Sequence, residues 1–192
     1  RGRDWNGAYV SAFVDEPFYA SYVNALIDGR PRRNDPFGAT DDSPKKPLPE
    51  SLYSIQFVPA YAIAFPARAC GIPVSVAFVL LTPLAALLAS LSVFWLITSV
   101  TYDHRLAAAG TLFVLCLGGF FGSYGIFQTP VDIAFPVLPF LRRYEPAVAF
   151  PFYFVFGALV WRALISNNRR RSFMCASLAG LTLSTLIYSY FY

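Results

Sequence analysis

Residues 69–102 constrain the chain more than any other stretch, because no side chain in them carries a charge. Their centre, GIPVSVAFVLLTPLAALLASLSVFWLITSV, is apolar on every side of a helix drawn through it, so no stripe is left to face water. About thirty residues of helix rise about 45 Å, enough for a tilted passage through a hydrocarbon core of about 30 Å. A buried hairpin in a soluble fold would need turn residues every few positions, and the Leu/Ala-rich portion 80–96 does not supply that rhythm. The expectation is therefore a membrane-spanning helix.

Composition agrees. Charged residues make up 14% of the chain, against roughly 25% in an ordinary soluble domain. Aromatic residues reach 18%, a bias suited to lipid-facing surfaces and interfacial anchors. Cys70, Cys116 and Cys175 stand far apart in or beside apolar segments, and read as buried small hydrophobes instead of a disulfide framework or metal motif. The formal charge of +4 comes from scattered basic residues mixed with acids, which excludes a nucleic-acid groove and fits membrane topology. The chain starts at Arg1 and stops on SYFY inside an apolar segment, so one portion of a longer protein is expected.

Residues 1–50 hold the polar part, with seven basic and eight acidic residues. Within it, Phe18, Tyr22, Ala25 and Leu26 recur at helical spacing, with Asp15 as a candidate N-cap, Pro17 in the first turn and Gly29 at the end. A surface-lying helix is expected there, followed by a Pro-rich loop without regular structure. Residues 51–67, broken by Pro59 and Pro66, suggest an interfacial or partly re-entrant helix, with a kinked true span as the alternative. The whole reads as an all-α membrane protein: about four transmembrane helices plus one or two interfacial helices in a large outward N-terminal loop. The loop occupies 1–70 and the bundle 71–192, with spans near 72–100, 106–127, 147–164 and 173–192. Gly118, Gly119, Gly122 and Gly125 would allow close helix approach in the second span. Arg162 is placed to snorkel, and NNRRR forms a loop whose triplet Arg169, Arg170 and Arg171 assigns that side to the cytoplasm. Residues 1–68 and 132–145 then face outward together.

Few residues there offer chemistry. Asp15 and Glu16 form a carboxylate pair framed by Phe13, Val14, Pro17, Phe18 and Tyr19. Apolar framing raises a carboxylate's pKa toward general-base duty, while the plainer reading is a helix cap. Asp132 stands alone in TPVDIAFP, as a helix cap, a cation ligand or a solvated charge. Arg142 and Arg143 precede Tyr144, Glu145 and Pro146; a guanidinium pair suits bidentate phosphate contact or interfacial anchoring. Tyr19 joins these three as a candidate substrate contact. Asp35, Asp41, Asp42, Lys45 and Lys46 read as solvated charge. A lone His104 excludes histidine triads and histidine metal sites within this chain, and no phosphate-loop fingerprint is present.

The stretch FVDEPFYASYVNALIDGRP, followed by PLPESLYSIQFVPA and then the long apolar run, resembles the layout of the GT-C superfamily of polyprenyl-phosphate-dependent membrane glycosyltransferases, which includes protein mannosyltransferases and aminoarabinose transferases. In that family an outward loop bears an acidic catalytic residue, often in an Asp-Glu pair. The resemblance implies that Asp15 is the catalytic base, Glu16 its companion, and the segment with Asp132 and FLRRYEP the phosphate region. It implies sugar transfer from a polyprenyl-phosphate donor to an acceptor at the outer face of a bacterial inner (plasma) membrane, with membrane lipid as surroundings. The residues imply no cofactor, and involvement of a divalent cation is left open. The competing readings are a non-catalytic membrane scaffold or assembly subunit, or a transporter fragment; the latter sits poorly with spans that carry no midplane acid or base.

Overall fold

A computed structural model describes residues 16–117, 144 and 147–189, and most of them are helical. Helix α1, Glu16–Ile27, places Pro17 in its first turn, where a missing N–H leaves no bond unmade. It stops at Gly29, whose φ of +88° suits glycine, with the Gly29 N–H donating to the Leu26 carbonyl at 3.0 Å and that of Arg30 to Ala25 at 2.9 Å. The candidate cap, Asp15, lies outside the described residues.

The segment after α1 departs from the expectation of an irregular loop. It contains a short antiparallel pair, β1 Asn34–Asp35 and β2 Thr40–Asp41, with Asn34 opposite Asp41 and Asp35 opposite Thr40. Asp35 Oδ1 accepts the Phe37 N–H at 2.9 Å and bends the chain locally. A Cβ at Gly38 would fall 2.4 Å from Asp35 Oδ2, so a side chain there would displace that carboxylate from the bend. The Gly38 and Phe37 amides hold the Asp35 carboxyl below its ordinary pKa. Three ion pairs then fasten the segment: Arg30–Asp41 at 2.7 Å, Arg32–Glu50 at 2.7 Å and Arg33–Asp42 at 2.8 Å. Asp41 and Asp42, read from sequence as solvated, are thus engaged in pairing.

Residues 51–70 form two helices. The first, α2 at Leu52–Ile55, opens on a capping box in which Ser51 and Ser54 satisfy each other's backbone N–H. The second, α3 at Phe57–Cys70, tolerates Pro59 in its first turn, contains Pro66, and ends at Gly71 with φ +65°. Helix α4 follows at Val74–Thr101, then a turn at Tyr102 and Asp103, then α5 at His104–Leu112, continued by a π-helical turn, Phe113–Leu117. Asp103 caps α5 by accepting the Arg105 and Leu106 N–H groups at 2.7 and 3.2 Å. The remainder of the expected second span, 118–127, lies outside the described residues, as do its glycines.

Helix α6 spans Ala149–Ile165 and α7 spans Arg169–Ile187. The Arg triplet expected in a loop forms the first turn of α7 instead, because Asn168 Oδ1 accepts the Arg170 and Arg171 N–H groups at 3.0 and 3.3 Å. Arg162 does not snorkel outward: its Nε donates to Ser99 Oγ at 3.1 Å and its guanidinium lies 5.0 Å from the Trp95 ring centre. Cys70 and Cys116 are exposed, contrary to expectation, while Cys175 is buried. Among the described residues one helix, α4, is long and apolar enough to cross a membrane; α6 is shorter, and α7 opens on three arginines.

The helices share two ends. At one, Tyr22, Val23 and Leu26 of α1 pack with Ala60 and Ile63 of α3, Phe78 and Leu81 of α4, and Tyr144. Each large side chain so buried contributes about 1.5–3 kcal/mol. The last residues of α7 reach the same end, where the Val58 N–H donates to the Tyr188 carbonyl at 3.3 Å and the Phe57 and Tyr188 rings lie 5.3 Å apart. Midway, Ala89 and Val93 of α4 pack with Leu115 and with Phe150 and Phe154 of α6. At the other end, Trp161 Nε1 donates to the Ser99 carbonyl at 3.0 Å, so α6 runs parallel to α4 and delivers the chain to Asn168 beside the α4–α5 turn. Residues 102–105 and 166–171 therefore share this second end.

Candidate functional site

Asp15, Asp132, Arg142 and Arg143 lie outside the described residues. Glu16 and Tyr19 sit in the first turns of α1, and Glu16 is buried. Tyr19 is stacked on Tyr144 with centroids 4.3 Å apart and planes 19° from parallel, and meets Tyr53 edge-on at 5.5 Å. Tyr144 is 0% exposed and lies 6.2 Å from the Phe78 ring on α4. Its φ of +75° is a left-handed conformation that an L side chain adopts at a cost of about 1–2 kcal/mol. Stacking and burial hold it there. Tyr144 follows Arg142 and Arg143 directly in the chain, so the aromatic stack ties the start of α1 to the second candidate segment. Sequence reading gave no role to Tyr53, Phe78 or Tyr144; the signal was the density of tyrosines in residues 1–70, which fits an aromatic core as well as interfacial anchoring.

Polar groups around this core are engaged with one another. The Tyr22 hydroxyl donates to the Arg32 carbonyl at 2.7 Å, and burial, assisted by Tyr61, raises its pKa well above the usual phenol value. Arg32 grips Glu50 bidentately, at 3.1 and 2.7 Å, and also donates to the Ser54 carbonyl. The Ser54 hydroxyl donates to Glu50 at 2.6 Å. That hydroxyl, and then Arg32, hold the Glu50 carboxyl below its ordinary pKa, while the Glu50 hydrogen bond raises that of Arg32. These groups clamp the 30–50 segment onto α2. A small polar hollow of about 370 Å³ beside α1, lined by Ser21, Asn24, Asp28 and Arg30, completes the polar surface.

Below the aromatic core runs an apolar groove of about 460 Å³ between α3, α4 and α6. Leu84, Leu88 and Trp95 line it from α4 and Phe152 and Val155 from α6. Ala147 and Val148 also line it, three and four positions after Tyr144 in the chain. The groove comes from the small residues Ala62, Ala85 and Ala147, set among large ones where helices from distant segments meet. Such an arrangement offers an apolar ligand a concave, almost wholly apolar surface.

Among the described residues, no three His, Cys, Asp or Glu side chains are gathered to hold a metal ion. Comparison with known proteins finds no family model, no curated protein and no solved structure that matches the chain.

Proposed function

We propose that the chain is a portion of a multi-pass glycosyltransferase of the bacterial inner membrane, which moves a sugar from a polyprenyl-phosphate donor to an acceptor at the outer face. The carrying observation is the stack of Tyr19 on Tyr144 above the apolar groove, because Tyr19 lies four positions after Asp15 in the chain and Tyr144 directly after Arg142 and Arg143, and the groove suits a lipid tail. A membrane setting is supported by α4 itself: only 22% of its most apolar stretch is buried by the rest of the chain, whereas the core helix of a soluble protein is mostly buried. Exposed Leu80, Leu84, Leu87, Leu88 and Leu91 cover its surface.

In this reading the lipid tail occupies the groove and the phosphate sits at Arg142 and Arg143. Asp15 takes the proton from the acceptor hydroxyl as that oxygen bonds to the anomeric carbon. The bond from that carbon to the phosphate oxygen breaks with inversion, and the electron pair leaves with the phosphate, whose growing charge the two guanidinium groups stabilise. Glu16, buried at the start of α1, positions or caps and does not exchange the proton. Asp15→Asn should lower transfer by about 10²–10⁴-fold while donor binding persists. Replacing Arg142 and Arg143 together with Gln should weaken donor binding itself. Full turnover in the Asp15 variant overturns the assignment.

A further inference from the structure

Among the described residues, two groups of arginines differ in how their charge is met. Arg30, Arg32 and Arg33, at the Tyr144 end, each hold a carboxylate. Arg105, Arg169, Arg170 and Arg171, at the opposite end, are exposed and have no side-chain hydrogen bond or ion pair among the described residues. The acid at that end, Asp103, accepts the backbone N–H groups of Arg105 and Leu106. The first-turn amides of α7 are likewise satisfied by Asn168, so what this end offers a ligand is guanidinium charge, not a helix terminus. The Ser172 hydroxyl donates to the Ala163 carbonyl at 2.7 Å, which seats the start of α7 on α6 and leaves that serine with no proton for a ligand. A hollow of about 670 Å³ opens there, lined by Arg169, Arg170, Ser172, Phe173 and Ala176. Its lining includes an apolar side chain, Phe173, that is 75% exposed.

We infer that this hollow binds the phosphate headgroup of an anionic phospholipid in the leaflet at the Arg169 end, with Arg169 and Arg170 as its cationic ligands, Arg171 adding charge beside them in the chain, and Phe173 against the acyl chain. The occupant follows from charge and from what surrounds the charge. Guanidinium groups without carboxylate partners call for an anion, and phosphate oxygens match their paired N–H groups. A free phosphate would satisfy the charge and leave Phe173 of the lining without an apolar partner. A lipid satisfies both, as basic side chains beside a membrane surface do generally. The site lies at the end of the helices away from the Tyr19–Tyr144 stack. It rests on the membrane reading given above, and not on the chemistry assigned to Asp15.

The test uses the full chain extracted from vesicles made of phosphatidylcholine and phosphatidylglycerol in equal parts, with the retained lipid read by native mass spectrometry. Phosphatidylglycerol should be retained in preference to phosphatidylcholine, and the preference should fall by at least about tenfold in a variant with Arg169, Arg170 and Arg171 all changed to Gln. Arg170→Gln alone should give a partial loss, which keeps the experiment informative if the triple variant folds poorly. Equal retention of the two lipids by the unaltered chain, an unchanged preference in the variants, or displacement of the lipid by millimolar inorganic phosphate would each overturn the site. A chain that stays in aqueous solution without detergent overturns the membrane reading and this inference together, whereas a membrane-embedded chain with no lipid preference overturns this inference alone.

Discussion

Tyr144 is where the residue-scale account can be pressed hardest. It is buried, left-handed in φ, and held between the rings of Tyr19 and Phe78, so its position depends on α1 and α4 at once. Tyr144→Ala should destabilise the protein by about 3–5 kcal/mol, the range for emptying a packed aromatic site, measured by thermal or denaturant unfolding in detergent. A change below about 1 kcal/mol would mean that the stack does not join the segments. Glu50 gives a second test with a defined sign. Its carboxyl is held below its ordinary pKa in the folded chain by Ser54 and then Arg32, so it contributes stability above the unfolded value of about 4.3. That contribution is lost as pH falls through the lower folded value. Limited proteolysis of the 30–50 segment should therefore accelerate as pH drops below about 4. Glu50→Gln should be cleaved more readily at neutral pH and lose part of the acid-induced step, with Asp35 carrying a further part; an unchanged step in that variant would place the linkage elsewhere.

At the scale of elements, legibility followed the range of the determining interactions. Helix α4 was readable because apolarity along one uninterrupted stretch decides it, and α1 because Pro17 and Gly29 mark its two ends locally. The β1–β2 pair was not readable: two residues per strand leave no alternation, and the pair is fastened by Arg30–Asp41 and Arg33–Asp42, whose matching is visible only once the chain has turned. The start of α7 was misplaced because arginines at a helix N-terminus oppose the helix dipole, and the cap at Asn168 outweighed that cue. The groove between α3, α4 and α6 was equally hidden, since it is made by alanines from three distant segments. Of the candidate site, Glu16 and Tyr19 could be followed into the structure, and the partner that gives Tyr19 its meaning, Tyr144, could not be guessed from spacing. The groove carries its own prediction. Ala62 lines it and is itself exposed, so Ala62→Phe should narrow the groove without disturbing the core. The variant should bind a polyprenyl-phosphate donor about tenfold more weakly at unchanged melting temperature, a loss of about 1.4 kcal/mol. Undiminished donor binding would exclude this groove as the tail site.

Across the whole molecule the two ends differ in how charge is managed. At the Tyr144 end the arginines of the 30–50 segment are neutralised by carboxylates and an aromatic core roofs an apolar groove. At the α4–α5 and α6–α7 turns the guanidinium groups stand unpaired among the described residues. Between them lie helices whose outer surfaces are leucine and phenylalanine. The sidedness proposed above puts the Arg169–Arg171 end in the cytoplasm and the Tyr144 end outside. The most direct measurement is sidedness. Single cysteines would replace Phe37, Arg143 and Arg170 in turn, in a chain whose own Cys70, Cys116 and Cys175 have been changed to Ala, and each would be exposed to a membrane-impermeant maleimide on intact cells. Labelling at 37 and 143 from outside, with 170 reacting only after permeabilisation, is the predicted result; position 143 reacting together with 170 and not with 37 would contradict the account.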